Sequence, residues 1–235
     1  MSCKPQVSVV VPAYHEAVNL GPLTERLFAA TGAANLSAEL IVVDDDSQDG
    51  SDRIVAELAG RYAVQIITRQ GERGLSSAVL AGFERSSGDV LVVMDADLQH
   101  PPEAVPELVE CIVSGRADFV IGSRYAGGRV EERWSWWRHL NSRVATLLAR
   151  PLTRVRDPMS GFFALHRDTW RQAAGLNPVG YKIGLELLVK CRCTRPVEIP
   201  ITFSARGQGR SKLTLREQLR YLRHLLRLYR FRLRE

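Results

Sequence analysis

At 235 residues, with 45% hydrophobic and 25% charged side chains, the chain has the composition of one large α/β domain or two small ones, which excludes disordered and fibrous classes. No stretch approaches the roughly 18 uninterrupted apolar residues of a membrane span, and Met1 to Val7 lacks the basic-then-apolar order of a signal peptide, so a soluble chain is expected. The net charge of +6 is uneven: residues 206 to 235 hold ten Lys/Arg against two Glu, leaving −2 over the other 205.

Over the first 125 residues short β-branched runs alternate with helical patterns, the signature of βαβ units and a parallel sheet. Strands are predicted at Val7 to Val11, Glu39 to Val43, Val64 to Thr68, Asp89 to Met94 and Phe119 to Gly122. Four of the five are nearly continuous apolar runs, as expected where helices cover both faces of a sheet. Helices are predicted near Leu20 to Ala30, Ser51 to Arg61, Ser76 to Ser86 and Pro102 to Ser114. After Gly122 the alternation stops. Tyr125 to Glu132, with Gly127-Gly128, reads as a loop or hairpin, Ser135 to Ala149 as a helix, and Arg150 to Met159 as a basic connector with Pro151 and Pro158. Val197 to Phe203 reads as a late strand, at a sheet edge because of Pro200. Cys3, Cys111, Cys191 and Cys193 form no C-x-x-C repeat and no cluster with histidine, so neither a zinc site nor a disulfide framework is indicated, and a reducing cytoplasmic setting fits.

In open parallel sheets ligands bind beyond the carboxyl ends of the strands, and those ends are polar here. The fourth strand runs into Asp95-Ala96-Asp97-Leu98-Gln99-His100. On extended chain Asp95 and Asp97 point the same way, so both can meet one ion, with Gln99 as a third oxygen. An all-oxygen set of this kind suits Mg²⁺ or Mn²⁺; the competing reading has Asp97 and Gln99 capping the helix after Pro101-Pro102. Asp44-Asp45-Asp46 ends the second strand similarly, with one carboxylate expected to bind nucleotide and the others to serve structure, helix capping included. Glu16 follows the first strand, and Tyr14 can stack on a base or pack on the surface.

Two segments predict an anionic partner. Arg133 to Arg156 contains six arginines, no acid, and Trp134, Trp136 and Trp137. From Arg216 the basic residues fall at 216, 220, 223, 227, 230 and 234, beside Leu215, Leu219, Leu222, Leu226, Tyr229 and Leu233 one position earlier. On a helix this places an arginine stripe beside a leucine stripe, the pattern of a helix lying in a membrane interface, or of a basic helix packing its leucines on the domain or on a partner.

These residues resemble the family-2 glycosyltransferases of GT-A fold, and within them the dolichol-phosphate mannosyltransferase and polyprenyl-phosphate glycosyltransferase group. The matching segments are Val9 to Glu16, Val42 to Ser47, Gly74 to Ala78, Val93 to Pro102, Gly122 to Tyr125, Asp157 to Phe163 and Arg206 to Lys212, in the family's order over almost the whole chain. The fold implied is an α/β, mostly parallel sheet flanked by helices, with residues 1–213 as catalytic domain and 214–235 as a basic amphipathic helix. The resemblance implies a nucleotide-sugar donor held by Pro12, Tyr14, Glu16, Val43, Asp44, Asp45, Asp95 and Ala96, and Mg²⁺ or Mn²⁺ on Asp95, Asp97 and Gln99. It also implies a polyprenyl phosphate acceptor on Arg124, Arg138, Ser142, Arg206 and Lys212. Asp95, Asp97, Arg124 and Asp157 are the candidate catalytic residues, with Asp157 either near the sugar or orienting an arginine.

The activity implied is inverting sugar transfer to the lipid phosphate, most simply mannose from GDP-mannose, on the cytoplasmic face of a membrane. A family-2 enzyme using a UDP-sugar or a saccharide acceptor is the alternative, although a saccharide hydroxyl would need a dedicated carboxylate base. A non-catalytic nucleotide-sugar or nucleic-acid binding protein is disfavoured, because acidic strand ends repel nucleic acid. Peripheral attachment to the membrane surface, or a membrane-anchoring subunit, is the expected partnership.

Overall fold

The computed structural model describes residues 4–127, 129–130, 136–173, 175–177, 182–203 and 215–234, and the side chains among these except those of 129–130, 136–142 and 215–217. Its first half follows the expected alternation. Strands β1 (Val7–Ala13), β2 (Ala38–Asp44), β3 (Val64–Thr68), β4 (Val90–Val93) and β5 (Phe119–Ser123) alternate with helices α1 (Ala17–Ala33), α2 (Ser51–Leu58), α3 (Leu75–Arg85) and α4 (Val105–Val113). A 3₁₀ turn, Pro102–Ala104, precedes α4. The later elements are β6 (Arg129–Val130), α5 (Trp136–Ala149), β7 (Phe163–His166), α6 (Arg167–Arg171), α7 (Ile183–Lys190), β8 (Pro196–Pro200), β9 (Thr202–Phe203) and α8 (Leu215–Arg232).

A seven-stranded sheet has the order β3-β2-β1-β4-β7-β5-β8. Side chains alternate across it with the strand's period of two. Val9, Val42 and Val92 enter one core with Leu20, Leu23 and Leu27 of α1 and Leu108 of α4. Val10, Ile41, Leu91 and Val93 enter the other with Val79 and Phe83 of α3 and Leu187 of α7. Covering both faces is why the inner strands β1, β2 and β4 read as apolar runs, whereas the edge strand β3, VQIIT, is only partly buried.

Two features depart from expectation. The late strand breaks at Ile201: Pro196–Pro200 pairs parallel with β5 at the sheet edge, whereas Thr202–Phe203 pairs parallel with β6. The described part of Tyr125 to Glu132 therefore joins a distant strand rather than folding back as a hairpin. The second departure is β7, an unanticipated strand that lies antiparallel between β4 and β5, with Val92 and Val120 both opposite Ala164. Running backwards, β7 begins beside the ends of its neighbours, with Phe163 opposite Val93 and Ile121. The Asp157–Phe162 loop is thereby delivered to the carboxyl edge of the parallel strands.

Helix α3 approaches the sheet closely at Gly82, where a Cβ would fall 2.3 Å from Val10 Cγ1. Gly82→Ala should lower stability by about 1–3 kcal/mol through overpacking despite alanine's better helix propensity. At Gly32, in α1, nothing lies within 4 Å of an added Cβ. Gly32→Ala should be neutral or stabilising by up to about 1 kcal/mol. Urea midpoints of the two variants check this, and equal midpoints would contradict it.

Candidate active site

The chain leaves β1 toward β2 on one side and is met by β4 on the other, so a crevice opens at the carboxyl ends where the strand order reverses. Pro12 to Glu16, Asp44 to Asp46 and Asp95 to Gln99 meet there.

After β4 the chain turns sharply. Leu98 adopts a left-handed φ of 60°, and the Gln99 N–H donates to Asp97 Oδ1 at 3.2 Å. The turn swings His100 back beneath Asp95, whose N–H donates to His100 Nδ1 at 3.1 Å. His100 is buried between the rings of Phe162, 5.3 Å away, and Phe203, 5.4 Å away. Burial, with Arg124 adding to it and Asp97 and Asp157 opposing, lowers its pKa to about 4, so the ring is neutral near pH 7. A neutral ring can accept the Asp95 N–H, whereas a protonated one could not. The turn at Pro102–Ala104 starts from Pro101, which has no side-chain acceptor to cap it.

Opposite Asp95 stands Gly161, where a Cβ would lie 3.2 and 3.3 Å from the two carboxylate oxygens. The glycine keeps the approach to that carboxylate clear. Among the described residues no three His, Cys, Asp or Glu side chains cluster tightly enough to cage a metal. Two carboxylates and an amide instead fit an open, all-oxygen position for a hard divalent cation that completes its shell from substrate and water.

A cationic wall faces these oxygens. Arg124, just after β5, forms a fork with Asp157: Nε donates to Oδ2 at 2.8 Å and Nη2 to Oδ1 at 2.7 Å, with the Arg124 N–H donating to Oδ2 at 3.0 Å. Asp157 is fully buried. Its own N–H donates to Glu198 Oε1 of β8 at 2.9 Å, tying the loop to the sheet edge. Burial works against the Arg124 charge, yet Asp157 more than offsets it and holds the guanidinium pKa above its ordinary value. The second cation is Lys182, immediately before α7. Burial and the repulsion of Arg124 lower its pKa to about 8, against the attraction of Asp157 and Asp95.

On the nucleotide side the adjacent carboxylates divide their partners. Asp44 accepts the Ser47 N–H at 2.9 Å and the Ser47 hydroxyl. Asp45 accepts Arg69 Nε at 2.9 Å and the Gly74 N–H at 2.8 Å. Arg69 Nη1 reaches on to Ser77 Oγ at 2.8 Å. Asp49 accepts the N–H groups of Ala17 and Ser51, both at 3.1 Å, and so satisfies the starts of two helices with one carboxylate. Beside them, the Tyr14 ring carries the Arg73 guanidinium 4.8 Å from its centroid.

Comparison with known proteins agrees with this geometry. Residues 8–171 match the family model described as Glycosyl transferase family 2. The chain belongs to glycosyl transferase family 2. Curated relatives named dolichol-phosphate mannosyltransferase are 46% identical in Pyrococcus furiosus, 45% in Mycosarcoma maydis and 47% in Saccharomyces cerevisiae. The alignments cover 95%, 98% and 97% of this chain, and 63%, 81% and 88% of the respective relatives. A solved glucosyl-3-phosphoglycerate synthase from Mycobacterium tuberculosis, in complex with Mn²⁺ and UDP, superposes with a TM-score of 0.66 at 20% identity, over 96% of this chain and 78% of that one. The glycosyltransferase therefore has the GT-A fold.

Of the expected site residues, the structure of this glycosyltransferase brings Asp95, Asp97, Gln99, Arg124 and Asp157 to one edge, with Asp44 and Asp45 alongside. Arg138 and Ser142 lie on α5 with side chains outside the description, and Arg206 and Lys212 fall outside the described residues. Three groups were not anticipated. Arg69 follows β3 directly, so the strand-end rule could have found it. Lys182 sits in no recognisable motif. His100 was visible in the Asp95-to-Pro102 segment, but nothing in its spacing revealed that it bonds back to Asp95. Replacing Asp157 by Asn keeps the shape but removes the charge from a buried pair, and should cost about 3 kcal/mol in chemical denaturation. An unchanged midpoint would mean that the Arg124 fork contributes nothing.

Proposed function

We propose that this glycosyltransferase moves mannose from GDP-mannose to the phosphate of a polyprenyl or dolichyl phosphate, with inversion at the anomeric carbon. One observation carries the reading: Arg124 and Lys182 share a crevice with Asp95, so that one wall can hold a metal-bridged diphosphate while the other holds a second anion. The name shared by the three relatives, at 45 to 47% identity, supports the same chemistry.

In this reading Asp95, Asp97 and Gln99 hold Mn²⁺ or Mg²⁺. A divalent cation there would neutralise the departing nucleoside diphosphate. Pro12, Tyr14, Glu16, Val43 and Ala96 frame the donor. Asp44 keeps lone pairs for a ribose hydroxyl or base edge, since each carboxylate oxygen can accept more than one hydrogen bond. Asp45 acts through Arg69 and the Gly74 N–H, which it orients. Arg124, pre-set by Asp157, and Lys182 draw in the acceptor phosphate with Arg138, Ser142, Arg206 and Lys212. A phosphate monoester has its second pKa near ~6, so the nucleophilic oxygen is already anionic and needs no strong base. The residues' work is to cancel repulsion between two anions.

The lipid end of the acceptor suits the periphery of the fold. No helix among the described residues is long and apolar enough to cross a membrane. Leu219, Leu222, Leu226 and Leu233 of α8 are exposed between arginines, and Val144, Leu147 and Leu148 of α5 are exposed beside them. Tyr221 Oη donates to Ala145 O at 2.7 Å and Tyr229 Oη to Leu148 O, so the two helices are clamped together. We infer that this pair rests in the interface of a membrane's cytoplasmic face, leucines inward and arginines at anionic headgroups.

The test is transfer from GDP-mannose, with UDP-glucose as the competing donor, to polyprenyl phosphate in anionic liposomes with Mn²⁺. Asp95→Ala and Asp97→Ala should lose transfer by at least about 10²-fold while still floating with the liposomes. Leu219→Gln/Leu222→Gln/Leu226→Gln should float less and transfer less. Preference for UDP-glucose, or near-normal turnover of either aspartate variant, would overturn the reading.

Lys182 adds a pH dependence. Its ammonium attracts the acceptor and is lost as pH rises through about 8. Accordingly kcat/KM, which reports the free enzyme, should fall on the alkaline side, about tenfold per pH unit where this charge is essential. Lys182→Arg keeps its charge and should carry the plateau to higher pH; coincident alkaline limbs would exclude Lys182 from acceptor capture.

A further inference from the structure

A buried polar cluster that the transfer reading leaves unused lies where α8 meets α7. Leu185 and Val189 of α7 pack against Leu225 and Leu228 of α8, and among them stands Glu186, 1% exposed. A lone carboxylate in such a place is heavily penalised. Here Lys190 Nζ donates to Oε1 at 2.7 Å, the Asn177 N–H donates to the same oxygen at 2.8 Å, and His224 Nε2 of α8 stands 3.3 Å from Oε2. Burial pushes the Glu186 pKa up, and these partners more than reverse it, leaving the carboxyl below its ordinary range. His224 is 2% exposed and its contact with Glu186 is loosely aligned; neither ring nitrogen finds another partner among the described residues.

Stability alone does not account for this cluster. Well-packed apolar side chains in place of a buried ion pair are often as stabilising or more so, whereas buried charges can fix a register between helices. The connections of Glu186 show which register is at stake. Lys190 Nζ also donates to Gly175 O at 2.6 Å, so Glu186 and Lys190 together hold the segment before α7 at Gly175 and Asn177. The Glu186 N–H donates to Lys182 O at 3.2 Å, making Glu186 part of the first turn that Lys182 opens. That turn is keyed to the sheet at Gly184, where a Cβ would lie 3.1 Å from the Phe163 ring. Lys182 in turn is the ammonium that feels Arg124, Asp157 and Asp95.

We propose that Glu186 is a positioning residue which, through His224, sets the seat of the basic helix α8 on α7 and thereby holds Lys182 in the crevice. The seating of the arginine-leucine helix and the readiness of the cationic wall are then one equilibrium, biased from either end. The proposal deepens the reading above, since the anion that Lys182 awaits is the acceptor phosphate.

The experiment uses the full chain with Glu186→Gln, and His224→Gln as the second variant should the first fold poorly. Two measurements need no substrate. Tryptic cleavage at Arg220, Arg223 and Arg227, located by mass spectrometry, reports release of α8 and should be about tenfold faster in the variant, the effect of one charged hydrogen bond. The titration of Lys182, followed by NMR in lysine-labelled protein, should move from about 8 toward the ordinary lysine value as the turn leaves the crevice. The third measurement is transfer to a short-chain prenyl phosphate in solution, where kcat should fall about tenfold with the donor KM unchanged. Unchanged cleavage in both variants would remove the latch. Faster cleavage with Lys182 still titrating near 8 and kcat intact would reduce Glu186 to ordinary packing. Failure of the wild-type chain to transfer to any prenyl phosphate would instead strike the acceptor reading, while the cleavage and titration still decide the latch.

Discussion

Everything at the site depends on β7 running backwards between β4 and β5. Had it been parallel, the Asp157–Phe162 loop would emerge at the far edge of the sheet, and Arg124 would face the crevice with no buried counter-charge. The inverted strand instead brings Asp157 under Arg124, Gly161 against Asp95 and Phe162 onto His100. A single short segment thus supports both the acidic and the basic wall. It is held in turn by Glu198, which accepts the Arg156 N–H at 2.7 Å and the Asp157 N–H at 2.9 Å.

The two walls are built by different means because their tasks differ. The acidic wall leaves the Asp95 carboxylate partly exposed while Asp97 and Gln99 are buried, and it keeps the supporting His100 neutral, so no permanent cation sits beneath Asp95. The basic wall is rigid. Arg124 is forked onto a buried carboxylate and also lies 5.3 Å from the Phe203 ring centroid, so its planar head is oriented before any anion arrives. Lys182 supplies a point charge without that rigidity, carried on the end of a helix whose packing partner is α8. Pre-orientation of Arg124 suits capture of an anion, because its planar head needs no rearrangement when the anion arrives.

Much of the donor half was legible in the sequence. Apolar runs of four to seven residues gave β1 to β5 to within about two residues, because strands buried on both faces leave no ambiguity of side. Carboxylates directly after such runs could be placed without coordinates, as Asp44, Asp95 and Asp97 show. The acceptor half was less legible for a physical reason. β7 is four residues long and β9 two, too short for a period to emerge, and their pairing is set by partners far away in the chain. The same non-locality hid Lys182, whose importance lies in the electrostatic company of Arg124, Asp157 and Asp95 rather than in its neighbours.

Helix α8 turns outward the stripe that a purely apolar packing argument would turn inward. The leucine stripe one position before the arginines resembles a core-packing stripe, yet the described residues of that stripe are mostly exposed: Leu219, Leu222, Leu226 and Leu233 face outward. The inward face is Tyr221, His224, Leu225 and Leu228, and it carries a histidine among its apolar side chains. A helix driven onto the domain by hydrophobic burial alone would have turned its richer stripe inward. The buried Glu186 stands opposite His224, with Nε2 3.3 Å from Oε2, and in the proposed seating that polar contact opposes the preference of the leucines for the inside. The buried charge on α7 and the apolar surface left on α8 are thus two sides of one choice of helix rotation.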